Sequence, residues 1–193
     1  PEITDLKDND YLYRTAPSDA FQGGVLAKLV LSKGIKKVAL TYINNDYGVG
    51  LAGTFRSTYK AMGGVITADQ VHEEKKQSYR SELASLASGG SSKLVIIAMG
   101  DGSGMTMIRQ SLEGGMFDTF IGADGMRTDK LVEGIGGKNL KGKFWGTLPS
   151  AKPSKQLDNF KAMYGDGKVF KFGSPFTAQG YDAVMLVALA AQM

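Results

Sequence analysis

Three aspartates and one tyrosine stand where predicted strands end. Asp46 and Tyr47 follow one apolar run of the sequence, Asp101 follows a second, and Asp124 follows a third. The carboxyl ends of parallel strands meet at one edge of a sheet, and ligands of open parallel sheets bind there. Carboxylates gathered at such an edge without a base or a nucleophile suit the binding of a cation or an ammonium group better than catalysis. The predicted ligand-binding residues are Tyr47, Asp124, Asp101, Gly100, Asp46 and Gly102.

Tyr47 has two interpretations at this stage. Its ring could close over a ligand, or it could pack on the start of the helix that follows the strand. Both suit a tyrosine, which combines an apolar ring with a hydrogen-bonding hydroxyl. The sequence leaves the two interpretations open.

The sequence offers no catalytic or metal-binding arrangement. It has no cysteine, no Gly-x-Ser-x-Gly elbow and no cluster of metal ligands with suitable spacing. The only histidine, His72, follows a different strand, and we expect it to be exposed at the strand end. The glycine-rich turn at 100–104 departs from the dinucleotide fingerprint, which requires glycine at position 105, where the chain has methionine. We therefore predict that the protein is not an enzyme and binds no cofactor.

The run from Leu94 to Met99 belongs to the clearest structural unit of the chain. It is apolar throughout, which is typical of a strand buried on both faces. A helix follows the glycine-rich turn, because Met105, Ile108 and Leu112 recur on one helical face. The next strand is predicted at 119–122. This order of strand, helix and strand predicts neighbouring parallel strands.

The same alternation extends over most of the chain. Further strands are predicted at 37–43, 65–71 and 143–147, with helices after Ser18, from about Val49, around Leu83 and from Leu131. The buried faces of the first two helices are predicted to include Phe21, Val25, Leu26, Leu29, Val30, Leu51, Phe55, Tyr59 and Met62. The pattern predicts an α/β fold with an open, mainly parallel sheet, helices on both faces and strand order 2-1-3-4-5.

Composition narrows the class of partner. The chain has 193 residues, 42% of them hydrophobic, which suffices for one good core or for one domain and part of another. The net charge of +4 comes from scattered lysines, without the clustered basic face that a nucleic-acid-binding protein usually has. No apolar run approaches the roughly 20 residues needed to span a bilayer. We expect a soluble protein that binds no nucleic acid.

The segment from 148 to 193 differs from the rest. Two prolines at its start suggest a linker, residues around Phe160 mark a helix, and 170–175 are predicted to be irregular. Residues 177–193 are predicted to form a helix that is apolar on most sides and would therefore require burial on more than one side. We expect the chain to end inside this element, and an exposed apolar patch there would favour a dimer.

Four stretches within the first 125 residues form a recognisable set. They are Tyr13-Arg-Thr-Ala-Pro-Ser-Asp with the glutamine of Phe21-Gln-Gly, Val38 to Gly50 with its Asn45-Asp-Tyr-Gly, Met107-Ile-Arg-Gln, and Phe120-Ile-Gly-Ala-Asp-Gly. With them the chain resembles the substrate-binding proteins of branched-chain amino acid (Leu/Ile/Val-type) ABC transporters, which have the type I periplasmic binding fold. These proteins have two α/β lobes joined by three crossings, and they clamp a small solute between the lobes.

The resemblance implies a division of the chain. Residues 1–13 would be a linker and the first hinge crossing, 14–147 the complete second lobe, and 148–193 the second crossing with part of the first lobe. It also implies that Asp124 receives the α-ammonium of an amino acid and that Tyr47 faces the ligand. The chain departs from the family at Gly100 to Gly102, where the family places an aromatic residue. The ligand implied is a larger or more basic amino acid, an amide, or a solute of another class.

Location and partners follow from the same resemblance. It implies a periplasmic protein, or an extracellular lipid-anchored one in a Gram-positive cell, that delivers its solute to an ABC permease in the membrane. Two alternatives remain at this stage. One is a ligand-sensing domain of a receptor or regulator with the same fold, and the other is a flavodoxin-like nucleotide or flavin binder.

Overall fold

The computed structural model describes residues 2–164 and 176–192, and its centre is a five-stranded sheet. The strands are β1 (Lys37–Ile43), β2 (Val65–His72), β3 (Lys93–Ile97), β4 (Thr119–Gly122) and β5 (Phe144–Gly146). All neighbouring strands are parallel, and their order is β2-β1-β3-β4-β5. This confirms the predicted α/β fold, including the strand order.

The helices alternate with the strands up to β5. They are α1 (Asp19–Ser32), α2 (Asp46–Ala61), α3 (Arg80–Ala87), α4 (Ser103–Gly114), α5 (Asp129–Ile135), α6 (Gly137–Leu140), α7 (Lys155–Tyr164) and α8 (Thr177–Ala190). Side-chain oxygens of Ser18, Asn45 and Thr128 accept backbone N–H groups at the starts of α1, α2 and α5. The segment predicted to be irregular at 170–175 lies outside the described residues.

Strand β3 explains why helices cover both faces of the sheet. Successive side chains of a strand point to opposite faces. Accordingly, Leu94 and Ile96 belong to one apolar cluster, which includes residues of α3, α4 and α5, whereas Val95 and Ile97 belong to a second cluster with residues of α1 and α2. All four side chains are fully buried. The continuous apolar run therefore supplies two cores at once.

The buried face of α1 differs from the predicted one. Phe21 is 68% exposed, and Val25 is also exposed, whereas Gly23, Leu26 and Val30 are buried. The reason is that α1 approaches α2 along its glycine side, which turns Phe21 towards solvent. On α2, Met62 was predicted to be buried but is exposed, because the helix has already ended at Ala61.

Gly23 provides a test of this close approach. A Cβ atom at this position would lie 2.0 Å from Thr54 Oγ1 and 2.8 Å from the backbone N of Phe55. We expect Gly23→Ala to lower the free energy of unfolding by about 2 kcal/mol, as overpacking does elsewhere. Urea denaturation followed by circular dichroism measures the change. Gly53→Ala is the matched control on α2, because nothing lies within 4 Å of its Cβ, and it should stabilise the protein by up to about 1 kcal/mol. Equal effects would contradict the proposed packing.

The chain divides into two compact units. The first comprises residues 18–147 with the segment ending at Thr4, and it contains the entire sheet. The second comprises residues 5–17 and the chain from Leu148 onwards, with α7 and α8. In the second unit the rings of Phe160 and Tyr181 are 4.7 Å apart, and Thr15 Oγ1 donates to the carbonyl oxygen of Gln179 at 2.9 Å.

Helix α8 leaves much of its apolar surface exposed. The exposed residues are Val184, Met185, Leu186, Val187 and Leu189. Among the described residues, no helix combines the length and the apolar character needed to cross a membrane.

Candidate functional site

The loop after β1 places Tyr47 at the carboxyl edge of the sheet. Asn45 Oδ1 accepts the backbone N–H of Gly48 at 2.8 Å, which fixes the first turn of α2. A Cβ atom on Gly48 would lie 2.1 Å from the carbonyl oxygen of Ile43, so glycine allows the helix to start close to the strand. Asp46 is the first residue of α2 and is exposed.

Tyr47 reaches across the edge to the loop after β4. Its hydroxyl donates to Asp124 Oδ1 at 3.4 Å and accepts the backbone N–H of Gly125 at 3.3 Å. Burial, together with the negative charge of Asp124, raises the pKa of Tyr47 well above its usual value, so the hydroxyl keeps its proton. The ring belongs to the partly buried residues packed on the α1 and α2 side of the core. Tyr47, the second residue of α2, thus packs its ring against the core and presents its hydroxyl to Asp124.

Gln22 also lies at this edge, although it is not among the six ligand-binding residues predicted from the sequence. Its side-chain Nε2 donates to Asp124 Oδ1 at 2.8 Å, and it lies 3.2 Å from the carbonyl oxygen of Thr147 and 3.4 Å from Thr147 Oγ1. Only 6% of Gln22 is exposed. The sequence hint for Gln22 is its place beside Gly23, on the side of α1 that packs against α2. A polar side chain buried there requires hydrogen-bond partners.

The two oxygens of Asp124 have different surroundings. Oδ1 accepts from Gln22 and from Tyr47, whereas Oδ2 has no hydrogen bond or ion pair with any residue that the structure describes. Asp124 as a whole is half-buried. The edge therefore holds a carboxylate that is fixed through one oxygen and has its other oxygen available.

The glycine-rich loop after β3 packs against the Asp124 loop. The backbone N–H of Gly100 donates to the carbonyl oxygen of Gly125 at 2.8 Å. A Cβ atom on Gly100 would lie 2.7 Å from the carbonyl oxygen of Met126. Because this contact is with backbone, only glycine permits it without movement of the chain. Gly100, Tyr47 and Asp124 are thus linked through Gly125.

Asp101 and Gly102 have other neighbours. Asp101 Oδ2 lies 3.3 Å from the ammonium of Lys130, which balances its charge. A Cβ atom on Gly102 would lie 2.6 Å from a carboxylate oxygen of Glu74. Asp101 is therefore paired with a lysine on α5, and Gly102 lies beside the carboxylate of Glu74.

His72 is buried, contrary to the prediction that it is exposed. It is 2% exposed, with Nδ1 2.8 Å from Thr41 Oγ1 and Nε2 3.1 Å from Ser103 Oγ. Strand β2 continues through His72, and the start of α4 covers the strand end with Ser103. Ser103 in turn donates its hydroxyl and its backbone N–H to Glu74. Burial lowers the pKa of His72 to about 4, despite the nearby charge of Glu74.

The Ser103 and His72 pair resembles a nucleophile beside its base, but neither side chain is accessible. Each is 2% exposed, whereas a nucleophile has to meet its substrate. Within residues 2–164 and 176–192, no three acidic or histidine side chains are placed to hold a metal ion. The pair is therefore interpreted as a buried polar connection between β1, β2 and α4.

A cavity of about 410 Å³ lies in the second unit, lined by residues of α7 and α8 that include Phe160, Gln179 and Asp182. None of the six predicted ligand-binding residues lines it. The carboxylate geometry of the sheet edge, rather than cavity size, therefore identifies the candidate site.

Comparison with known proteins gives the family and the fold. The family model described as the receptor family ligand binding region matches residues 1–193. The leucine binding protein LivK from Thermotoga maritima matches with a TM-score of 0.74 and 24% identity, over 92% of this chain and 51% of LivK. The branched-chain amino acid transporter substrate binding protein LivJ from Streptococcus pneumoniae, solved with isoleucine, matches with a TM-score of 0.72 and 26% identity, over 96% of this chain and 53% of LivJ.

A solved structure of the same fold holds a different ligand. A solute binding protein of an ABC transporter from R. palustris, solved with 4-hydroxybenzoate, matches with a TM-score of 0.58 and 17% identity, over 66% of this chain and 36% of that protein. No curated protein matches the chain. The resemblance to branched-chain amino acid binding proteins and the type I periplasmic binding fold are confirmed, and the chain spans about half the length of LivK and LivJ.

Proposed function

We propose that this chain, which belongs to the family described as the receptor family ligand binding region, is part of the solute-binding component of an ABC importer. The solute is a small molecule with an ammonium group, an amino acid or a related compound. The observation that carries the proposal is the available Oδ2 of Asp124 at the carboxyl edge of the sheet.

The chemistry of the edge supports an ammonium group. An ammonium donating to a carboxylate forms a charge-assisted hydrogen bond, which is stronger than a bond between neutral groups. No cationic side chain of the described residues pairs with Asp124. Among the described residues no cation therefore occupies the place beside this carboxylate that a cationic ligand would take. Tyr47, Gly100, Asp101, Gly102 and Asp46 are proposed to complete this side of the site.

The proposal includes a location and a partner. The protein acts outside the cytoplasm, in the periplasm or tethered by a lipid, and delivers its solute to a membrane permease. In this proposal residues 14–147 are one complete lobe, 1–13 and 148–193 contain the crossings, and segments 12–15 and 146–149 serve as hinges. Closure about such hinges is a common response of two-lobed binding proteins to ligand.

A second candidate function is a ligand-sensing domain of a receptor or regulator. The matching family is described as a receptor family ligand binding region, and this description fits both functions. The two functions use the same site chemistry but different partners. Genes for ABC permease subunits beside the gene for this protein support the importer, whereas a neighbouring or fused signalling domain supports the sensor.

Thermal unfolding of the full-length protein tests the proposed ligand class. The panel contains isoleucine, leucine, lysine, glutamine, 4-hydroxybenzoate, a sugar and nucleotides that include a flavin. A ligand at 100 times its dissociation constant stabilises a protein by about 2.7 kcal/mol, which raises the melting temperature of a protein about twice as long as this chain by roughly 3–4 °C. We expect this shift only with ammonium-bearing solutes. A shift with 4-hydroxybenzoate, a sugar or a nucleotide, and none with amino acids, contradicts the proposed class.

A further inference from the structure

We infer that Gln22 makes Asp124 a one-oxygen acceptor, so that the site selects ammonium ligands over guanidinium ligands. The inference rests on the proposed function, because it concerns how Asp124 meets its cation. Gln22 is a positioning residue in this account: its amide holds one carboxylate oxygen, and the ligand meets the other.

The orientation of the Gln22 amide follows from its neighbours. Asp124 Oδ1 and the carbonyl oxygen of Thr147 are both acceptors, at 2.8 Å and 3.2 Å from the Gln22 nitrogen. The amide oxygen of Gln22 in that place would face these two acceptors at short distance and would have only the more distant Thr147 hydroxyl, at 3.4 Å, as a donor, so the NH₂ group is the one that points to them. Its two protons are then committed to Asp124 and Thr147.

The position of Gln22 is also fixed by its surroundings. It lies in the first turn of α1, where the side chain of Ser18 accepts the N–H of Ala20, and it is buried. Its partners follow β4 and β5, so one side chain joins three elements of the first unit. Tyr47 adds a second, longer hydrogen bond to the same Oδ1. Oδ1 is therefore occupied from two sides, whereas Oδ2 is not.

This difference between the oxygens discriminates between cations. A guanidinium group binds a carboxylate best through two parallel N–H···O bonds, one to each oxygen. With Oδ1 occupied, a guanidinium ligand can form only one of the two bonds. An ammonium group is a compact charge that needs a single carboxylate oxygen, so it loses nothing. The geometry consequently favours an α-ammonium over the same ligand with an α-guanidinium.

The test compares two ligands and two proteins by calorimetry. The ligands are L-isoleucine and N-amidino-L-isoleucine, in which a guanidinium replaces the ammonium. We expect the wild-type protein to prefer isoleucine by about tenfold or more, because one charge-assisted hydrogen bond is missing with the other ligand. Gln22→Leu removes one of the two donors to Asp124 Oδ1. The preference for isoleucine over N-amidino-L-isoleucine should then fall to about threefold or less. An unchanged preference in Gln22→Leu overturns the inference.

Tyr59→Phe is the matched control for loss of a buried hydrogen bond. Tyr59 is fully buried in α2, and its hydroxyl donates to the carbonyl oxygen of Ile35 at 3.0 Å, in a loop before β1. The variant should keep the wild-type preference between the two ligands. A reduced preference in Tyr59→Phe would attribute the effect of Gln22→Leu to general loosening and overturn the inference.

A second measurement is independent of the solute. The side-chain amide protons of Gln22 should resonate downfield in NMR spectra of the wild-type protein and move upfield in Asp124→Ala, because the carboxylate acceptor is lost. If neither isoleucine derivative binds and these signals move, the positioning by Gln22 stands and the proposed amino acid ligand fails. If the signals do not move, the inference itself fails.

Discussion

Asp124→Asn should lower the affinity of the full-length protein for an ammonium-bearing solute about a hundredfold. Asparagine has nearly the same shape, and its Oδ1 can still accept from Gln22 and Tyr47, so the local structure is expected to remain. The variant loses the negative charge, and it places an NH₂ group where Oδ2 met the ligand. Hydrogen bonds to charged groups contribute about 1.5–3 kcal/mol, and the upper value corresponds to roughly a hundredfold in affinity.

Isothermal titration calorimetry with the best solute of the thermal panel measures this loss. Asp118→Asn is the matched control, because Asp118 stands just before β4 and Asp124 just after it. Asp118 pairs with Lys93 at 2.5 Å and is largely exposed, so its loss should cost stability by at most about 1 kcal/mol and leave the affinity unchanged. An Asp124→Asn protein that binds with wild-type affinity would remove Asp124 from the proposed site.

The sheet could be predicted from the sequence because its strands are locally distinctive. The run at 94–99 is apolar throughout and lies between Lys93 and Gly100, and the strand at 119–122 has Phe120 and Ile121 between Thr119 and Gly122. Parallel strands linked by helices follow a right-handed crossover, which leaves few possible strand orders. The phase of α1 could not be predicted in the same way. It depends on the contact of Gly23 with Thr54, which lies on another helix.

Prediction of the candidate site from the sequence has the same limit as prediction of the face of α1. Placing Asp124 and Tyr47 on one edge requires only the rule for strand ends, and the structure joins them through a hydrogen bond. Gln22 precedes Asp124 by 102 positions in the chain, and no periodicity indicates that they meet. Likewise, the pairing of Asp101 with Lys130 depends on where α5 packs. Contacts between distant segments are tertiary information, so composition and spacing cannot supply them.

His72 is the clearest case, because its environment reverses the expectation drawn from the sequence. A single histidine after a polar strand suggests exposure, but Ser103 at the start of α4 and the ring of Tyr79, 5.8 Å away, enclose it. The hydrogen bonds fit a neutral ring: Thr41 donates to Nδ1, Nε2–H donates to Ser103, and Ser103 donates to Glu74. Protonation of the ring would place an N–H at Nδ1. The Thr41 hydroxyl would then have to accept a hydrogen bond from Nδ1 instead of donating one.

We expect this buried histidine to make the protein less stable in acid. The folded pKa of His72, about 4, lies below the ordinary value of 6.5, so the unfolded chain binds more protons between these values. The stabilising contribution is complete above pH 6.5 and is lost as the pH falls towards 4. Relative to neutral pH, the loss of stability amounts to about 2 kcal/mol at pH 5 and about 3 kcal/mol at pH 4, since one pKa unit corresponds to 1.36 kcal/mol.

Urea denaturation at pH 7, 6, 5 and 4.5 measures this dependence in wild type and His72→Gln. The acidic groups with lowered pKa values, Glu82 and Asp118, titrate in the unfolded chain near 4.5 and 3.8, so they affect stability mainly below this range. His72→Gln should therefore flatten the loss of stability between pH 6.5 and 4.5. Thr41→Val is the control: it removes one hydrogen bond but keeps the ring, so it should destabilise the protein while the pH dependence remains.

The result also bears on the site, because Ser103 begins the helix that follows Gly100 and Gly102. Loss of the His72 connection in acid would loosen the start of α4, which carries the glycine-rich loop that packs against the Asp124 loop. If His72→Gln keeps the full wild-type slope between pH 6.5 and 4.5, the acid sensitivity arises elsewhere. The hydrogen bonds of His72 would then hold the start of α4 without causing the pH dependence of stability.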